Sequence, residues 1–269
     1  RIFILIFLFS IFIFIIFFLF FQADPQELFI CDIYLEQKIS IGNSEYSFLY
    51  PHSRCDDEIY LDSIKSFESI FSESNNQYQN RPLYLISNYL SYKFFDMFLS
   101  STNSIYEFLP ELSFFITQIL YFSIGVHLLV KVLVKYYEVS IYNLMLVTFI
   151  AALNPLLQFG IFTPSNQTIS TLVFIVSVYL LEKQDLRKNL FTISIFLGLL
   201  FLLNRSFFIA IITVNLYSLF KNKLSVRNLI NNFISIIIFF IPNFLYKQYL
   251  NSQNILPYDM NTEYYGQFI

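Results

Sequence analysis

Charge is scarce in this 269-residue chain: 13% of its residues are Asp, Glu, Lys or Arg, against 56% hydrophobic, with a mean hydropathy of +0.58. Soluble globular domains carry about a quarter of their residues as charges, so the composition excludes that class and points to an integral membrane protein. Glycine is rarer still, with 5 in all, and no Gly-rich loop of the phosphate-cradling kind occurs. The 16 Lys and Arg never gather into the basic patch that nucleic-acid binding requires. With two histidines, His52 and His127, no Ser-His-Asp set is arguable from spacing. What abounds is Phe (35) and Tyr (20). Alongside Ile, Asn and Lys these read in part as the codon bias of an AT-rich genome, and they receive no functional weight.

Residues 2–21, IFILIFLFSIFIFIIFFLFF, form an unbroken apolar run of about the 20 residues a helix needs to cross a bilayer. A cleaved signal peptide has a shorter apolar core and small residues before the cut, whereas FFLFFQAD places bulky Phe there, so 1–21 is expected to be a retained first span. Further apolar stretches recur near 113–130, 139–160, 168–181, 189–203, 206–220 and 229–246, making about seven spans. The fourth and fifth meet at LNRS, as a tight hairpin would. The chain opens on Arg1 instead of Met and stops at EYYGQFI, so it is expected to be a piece of a longer protein.

Lys131 and Lys135, then Lys183, Arg187 and Lys188, then Lys221, Lys223 and Arg227 fall in three alternate connections. That is the bias expected of cytoplasmic loops. With Arg1 inside, the loop 22–112, the turn GIFTPSNQT, the turn at Asn204–Ser206 and the tail from Lys247 lie on the outer face. The expected fold is therefore all-α, a polytopic transmembrane helix bundle: a first helix at 1–21, an extracytoplasmic loop at 22–112, about six helices over 113–250 and the start of a further outer segment at 251–269.

The outer loop holds 14 of the 19 acids and 5 of the 16 basic residues, an excess of nine negative charges. It also holds both cysteines. Cys31 and Cys55 either bridge FICDIYLEQKISIGNSEYSFLYPHSRC, which alternates like a small β-hairpin around IGNSEY, or remain two separate thiols; the oxidising outer side permits the bridge. Downstream, Tyr60, Ile64, Phe67 and Phe71 are spaced as one face of a surface helix, and RPLYLISNYLSYKFFDMF begins a second, with Pro82 suited to a first turn. The acids Asp56, Asp57 and Glu58 open the first helix and Arg81 the second. One carboxylate suffices to cap a helix, whereas three adjacent ones repel and raise at least one pKa, a cost more expected at a functional site.

The succession of one span, an outer loop with DDEIY, then NRPLY leading into an amphipathic helix and a second span resembles the GT-C superfamily of membrane glycosyltransferases. It is most similar to the branch of protein O-mannosyltransferases and aminoarabinose transferases, whose first outer loop carries an Asp-Glu pair followed by a Pro-Leu-Tyr type element. The resemblance rests on Asp56, Asp57, Glu58, Tyr60, Arg81, Pro82, Leu83 and Tyr84. The 22–55 stretch is long for the family, and the family's later spans and outer C-terminal domain are not in this chain.

The resemblance implies an inverting transfer of sugar from a polyprenyl-phosphate-linked donor to a glycan, lipid or protein acceptor at the extracytoplasmic face. Asp57 would serve as the base on the acceptor hydroxyl, with Asp56 as the alternative and Glu58 beside them. Positive charge for the departing phosphate falls to Arg81 and to Arg205, isolated in FLLNRSFF, where an arginine either meets a lipid phosphate or snorkels to the headgroups. Tyr60, Tyr84 and Asn166 would line the substrate cavity, although NPLLQFGIFTPSNQT also reads as a plain reverse turn. No metal is assigned, since His52 beside the acids is too little to define a site; a divalent cation is compatible with the set. Membrane lipids are expected partners, nucleic acid is not, and a bacterial inner membrane with a periplasmic site is the expected location. Two other classes compete: a transporter subunit, disfavoured because the spans are almost free of acids, and a non-catalytic membrane scaffold.

Overall fold

A computed structural model describes residues 2–20, 39–41, 44–46, 61–68, 71, 81–99, 109–134, 140–154, 161, 167–183, 186–221 and 225–255. Among them the chain is predominantly helical: α1 (Ile2–Phe20), α2 (Pro82–Leu99), α3 (Leu109–Leu133), α4 (Ile141–Ala152), α5 (Gln167–Lys183), α6 (Leu186–Leu203), α7 (Phe207–Lys221) and α8 (Val226–Ser252). Among the described residues two segments are long and apolar enough to cross a membrane, Leu112–Leu133 within α3 and Val226–Ser252, which is α8. A bilayer offers no backbone partners, so an apolar run there satisfies its own N–H and C=O groups as helix. Two three-residue strands, β1 (Ile39–Ile41) and β2 (Ser44–Tyr46), pair antiparallel with Ser40 opposite Glu45. The rest of the hairpin expected over 29–55, with Cys31 and Cys55, lies outside the described residues.

The contacts divide the chain into two units, Arg1–Leu61 with Ser91–Tyr179, and Asp62–Leu90 with Leu180–Ile269. In the first, α1 packs on α3 and α4, and α3 on α4. Ile6, Ser10, Ile13 and Phe14 follow i, i+4, i+7, i+8 spacing and put one stripe of α1 inward. They meet Ile119, Phe122, Val126 and Val130 of α3 and Leu144 of α4, with Phe14 edge-on to Phe122 at 5.3 Å. Ser10 is fully buried at no polar cost because its hydroxyl donates to the Ile6 carbonyl at 2.7 Å. The same device recurs at Ser113, Thr148 and Ser177. Thr117 of α3 donates to Ser91 Oγ at 2.7 Å and ties the second half of α2 to α3.

In the second unit α6 lies against α8 along most of its length, and α7 touches both. The two helices come close at Gly198, where a Cβ would overlap the Phe239 carbonyl oxygen and stand 3.1 Å from the Pro242 ring. Only glycine admits the α8 backbone at that distance. Ser194 and Ser235, both fully buried, hydrogen-bond across the α6–α8 seam at 2.7 Å. On α7 the buried residues Phe207, Ala210, Ile211, Val214, Asn215 and Ser218 trace a single helical stripe.

The first surface helix expected from Tyr60, Ile64, Phe67 and Phe71 is not continuous. One helical turn at 61–63 gives way to turns at 64–65 and 67–68, with i→i−3 bonds from Lys65 N–H to the Asp62 carbonyl (3.1 Å) and from Phe71 N–H to the Glu68 carbonyl (3.0 Å). Asp62, Ser63 and Ser66 are residues whose side chains compete for backbone bonds and weaken a short helix. Ile64 is still fully buried, and Phe67 meets Phe71 edge-on at 5.2 Å and Tyr89 at a tilt at 5.6 Å, so the apolar spacing serves local packing.

Candidate functional site

Of the residues singled out from the sequence, Asp56, Asp57, Glu58, Tyr60, Asn166 and His52 lie outside the described residues. The described ones are Arg81, Tyr84 and Arg205.

Arg81 stands at the cap position of α2. Its carbonyl accepts the N–H groups of Tyr84 (3.1 Å) and Leu85 (3.3 Å), so the first helical turn closes over Pro82. Proline fits there because its missing N–H would have no helical partner anyway and its φ is preset for a helix. Tyr84, expected to line a cavity, is fully buried; its carbonyl accepts from Ser87 Oγ at 2.7 Å and Asn88 Nδ2 at 2.8 Å. Its ring belongs to the packed face of α2 with Leu85, Asn88 and Tyr92, while Leu90, Phe94, Met97 and Phe98 leave an apolar stripe outward. Lys93 and Asp96, 3.7 Å apart, mark the polar flank of the same helix.

Arg205 sits in the three-residue turn between α6 and α7. The turn is held by its own neighbours: buried Asn204 accepts the Ser206 N–H on its side-chain oxygen at 2.8 Å, and the Arg205 carbonyl accepts from Phe208 N–H at 3.0 Å. This is an Asx turn feeding directly into a helix, so the arginine is placed by a short, well-bonded corner. Just inside it, Phe201, Phe208, Phe239 and Phe240 form a cluster of rings, with Phe208 and Phe240 centroids 5.9 Å apart.

His127 lies on α3 with its ring edge-on to Phe3 at 5.7 Å, a packed residue of α1–α3. Among the described residues no three His, Cys, Asp or Glu converge as a metal site. Asn154 is exposed just past the end of α4, which stops ahead of Pro155 because a residue preceding proline disfavours helix.

Sequence reasoning passed over a buried polar layer in α6–α8. Asn215 and Asn232 are 4% and 5% exposed; each donates to the carbonyl four residues back, at 2.8 Å, and neither Oδ1 has a hydrogen-bond partner. With Ser194, Ser218 and Ser235 they occupy the halves of the helices next to the 222–225 connection. The signal was readable: Asn215 with Ser218, and Asn232 with Ser235, are i, i+3 pairs inside otherwise apolar runs.

No protein-family model, curated protein or solved structure matches this chain.

Proposed function

We propose that this chain is a polytopic membrane glycosyltransferase that moves a sugar from a polyprenyl-phosphate donor to an acceptor hydroxyl at the extracytoplasmic face. The observation that carries the reading is the start of α2: Arg-Pro-Leu-Tyr at 81–84 opens an 18-residue helix with an outward apolar stripe, which precedes the span in α3. That is the order of parts the GT-C resemblance asks for. The membrane setting is supported by the two apolar spans, and the orientation by exposed Lys131, Lys188, Lys221 and Arg227, which flank alternate connections between helices.

In the proposed reaction the acceptor oxygen attacks the anomeric carbon from the face opposite the phosphate, the carbon–oxygen bond to phosphate breaks, and the configuration inverts. Asp57, or Asp56 in its place, takes the hydroxyl proton, while Glu58 keeps the neighbouring field negative. Polyprenyl phosphate departs with the electron pair, and Arg81 and Arg205 are the cations offered to it. Tyr60 and Asn166 belong to the acceptor side of this scheme.

The test is transfer of radiolabelled sugar in membranes carrying wild type, Asp57→Asn or Asp56→Asn at equal protein level. Loss of transfer in one variant alone identifies the base; equal transfer in all three makes the triplet a helix cap. One observation favours a second reading, a solute transporter: the unpaired amide oxygens of Asn215 and Asn232 lie within helices, where transporters place their binding groups. Solute uptake into proteoliposomes that is lost in Asn232→Leu, with no sugar transfer, would select it.

A further inference from the structure

We propose that the Tyr246 hydroxyl, close to the Ser252 end of α8, belongs to a sugar subsite: it hydrogen-bonds a sugar hydroxyl while the rings of Phe71 and Tyr249 lie against the sugar's apolar face. The inference rests on the glycosyltransferase reading for the choice of a sugar, and it adds a residue and a place that the reading leaves open.

Three observations combine. First, the Tyr246 hydroxyl is covered and has no hydrogen-bond partner among the described residues. Hydroxyls elsewhere in these helices are satisfied locally: Ser10, Ser113, Thr148, Ser177 and Ser194 each donate to the carbonyl four residues back. A phenol is too long and rigid to turn back in that way, so its partner comes from another element or from a ligand. Second, Tyr246 stands at the end of a helix seam and not within it. α6 and α8 run parallel in one register, Ser194 meeting Ser235 and Gly198 meeting Phe239, each pair 41 positions apart. Seven residues further on, that register brings Tyr246 level with the 204–206 corner, where α6 has ended. Third, an aromatic rim lies beside it. Tyr249, one turn further along the same side of α8, is 48% exposed and meets Phe71 edge-on at 6.0 Å, and Phe71 meets Phe67, equally exposed, at 5.2 Å. In the sequence this 61–71 segment starts three residues after Glu58, so the rim and the acids assigned to the acceptor proton belong to one stretch of chain. A sugar matches this pair of features: its hydroxyls donate and accept as a phenol does, and its C–H face suits ring surface. A phosphate leaves the rings unused, and a hydrocarbon chain leaves the hydroxyl unpaired. Tyr246 as a whole is half-buried, and a side-chain rotation of the kind common on binding opens its hydroxyl.

The experiment uses the full chain in phosphatidylcholine nanodiscs and reads affinity from the rise in Tm as ligand is added. The probes are polyprenyl phosphate bearing mannose or aminoarabinose, bare polyprenyl phosphate, and free mannotetraose. Wild type should bind at least one sugar-bearing probe more tightly than its bare counterpart. Tyr246→Phe, which removes one oxygen, should weaken that probe about tenfold, the loss of one hydrogen bond, and leave bare polyprenyl phosphate unchanged. Without ligand, the same variant should melt at or above the wild-type Tm, because only an unpaired hydroxyl is lost. Phe71→Ala with Tyr249→Ala should also weaken the sugar-bearing probe alone. A shift with mannotetraose that depends on Tyr246 assigns the subsite to a glycan acceptor, and a shift confined to the lipid-linked sugar assigns it to the sugar being transferred. Two results would overturn the subsite whether or not the double variant folds: wild type binding none of the sugars better than bare lipid, or a lower ligand-free Tm in Tyr246→Phe, which would give the hydroxyl a protein partner. Sugar-dependent binding without transfer would retain the subsite and remove the enzyme. Transfer with an unchanged KM in Tyr246→Phe would do the reverse.

Discussion

Gly198→Ala should destabilise the α6–α8 pair, and Gly125→Ala provides the control that isolates the reason. At Gly198 the new methyl would overlap the Phe239 carbonyl oxygen and press on the Pro242 ring 3.1 Å away. Neither obstacle can rotate aside, since one is backbone and the other a ring locked into it, so the helices must separate. At Gly125 the obstacle is Cδ2 of Leu172, the far end of a flexible side chain, and the next atom is at 3.6 Å. Both substitutions gain roughly 1 kcal/mol of helix propensity, which cancels in the difference. Overpacking against a rigid neighbour costs about 1–3 kcal/mol, and that is the expected gap between the variants. For a chain of this size each kcal/mol moves the Tm by about 2–4 °C. Thermal unfolding in one detergent, followed by the monodisperse fraction on gel filtration, should place Gly198→Ala below Gly125→Ala by at least 2 °C, on the low side of that range. Equal shifts, or a larger loss at Gly125, would refute the close α6–α8 approach.

Three further predictions concern α6, α7 and α8. Asn215→Leu and Asn232→Leu should each raise stability by about 1–3 kcal/mol, because an unsatisfied buried oxygen is removed; a fall in the same thermal assay would mean that the oxygen holds a bound group. A double-mutant cycle on Ser194→Ala and Ser235→Ala should give a coupling of about 0.6 kcal/mol, and no more than about 1.7, the range for hydrogen bonds between membrane helices; zero coupling would remove the bond. In a cysteine-free background, Ser206→Cys should react with an impermeant maleimide from outside intact cells and Arg227→Cys only after the membrane is opened; the opposite pattern would invert the proposed orientation.

Much of the helical layout was legible because long apolar runs bounded by polar or basic residues mark where helices start and stop. The stretches at 168–181, 189–203 and 206–220 coincide with α5, α6 and α7 to within a few residues, and LNRS marks the corner at 204–206. Arg81-Pro82 was legible as a helix start for the same kind of reason, since proline has one favoured helical position. Periodicity misled at Tyr60–Phe71, where i, i+4, i+7 spacing fits a helix but Asp62, Ser63 and Ser66 favour turns. It was silent on Tyr84, whose place in an amphipathic pattern reads alike for a packed ring and a cavity wall. Setting the aromatics aside as compositional bias also hid the ring cluster at Phe201, Phe208, Phe239 and Phe240, which depends on three helices meeting at one level. The buried Asn and Ser layer was missed because its residues are neutral, and the search of the spans looked for charge.

The measurement that tests the central claim most directly is the donor dependence and stereochemistry of sugar transfer by the purified chain in proteoliposomes. The account predicts product from a polyprenyl-phosphate sugar, none from the corresponding nucleotide sugar, and an anomeric configuration opposite to that of the donor. Product from the nucleotide sugar, a retained configuration, or no product from the lipid donor would contradict it.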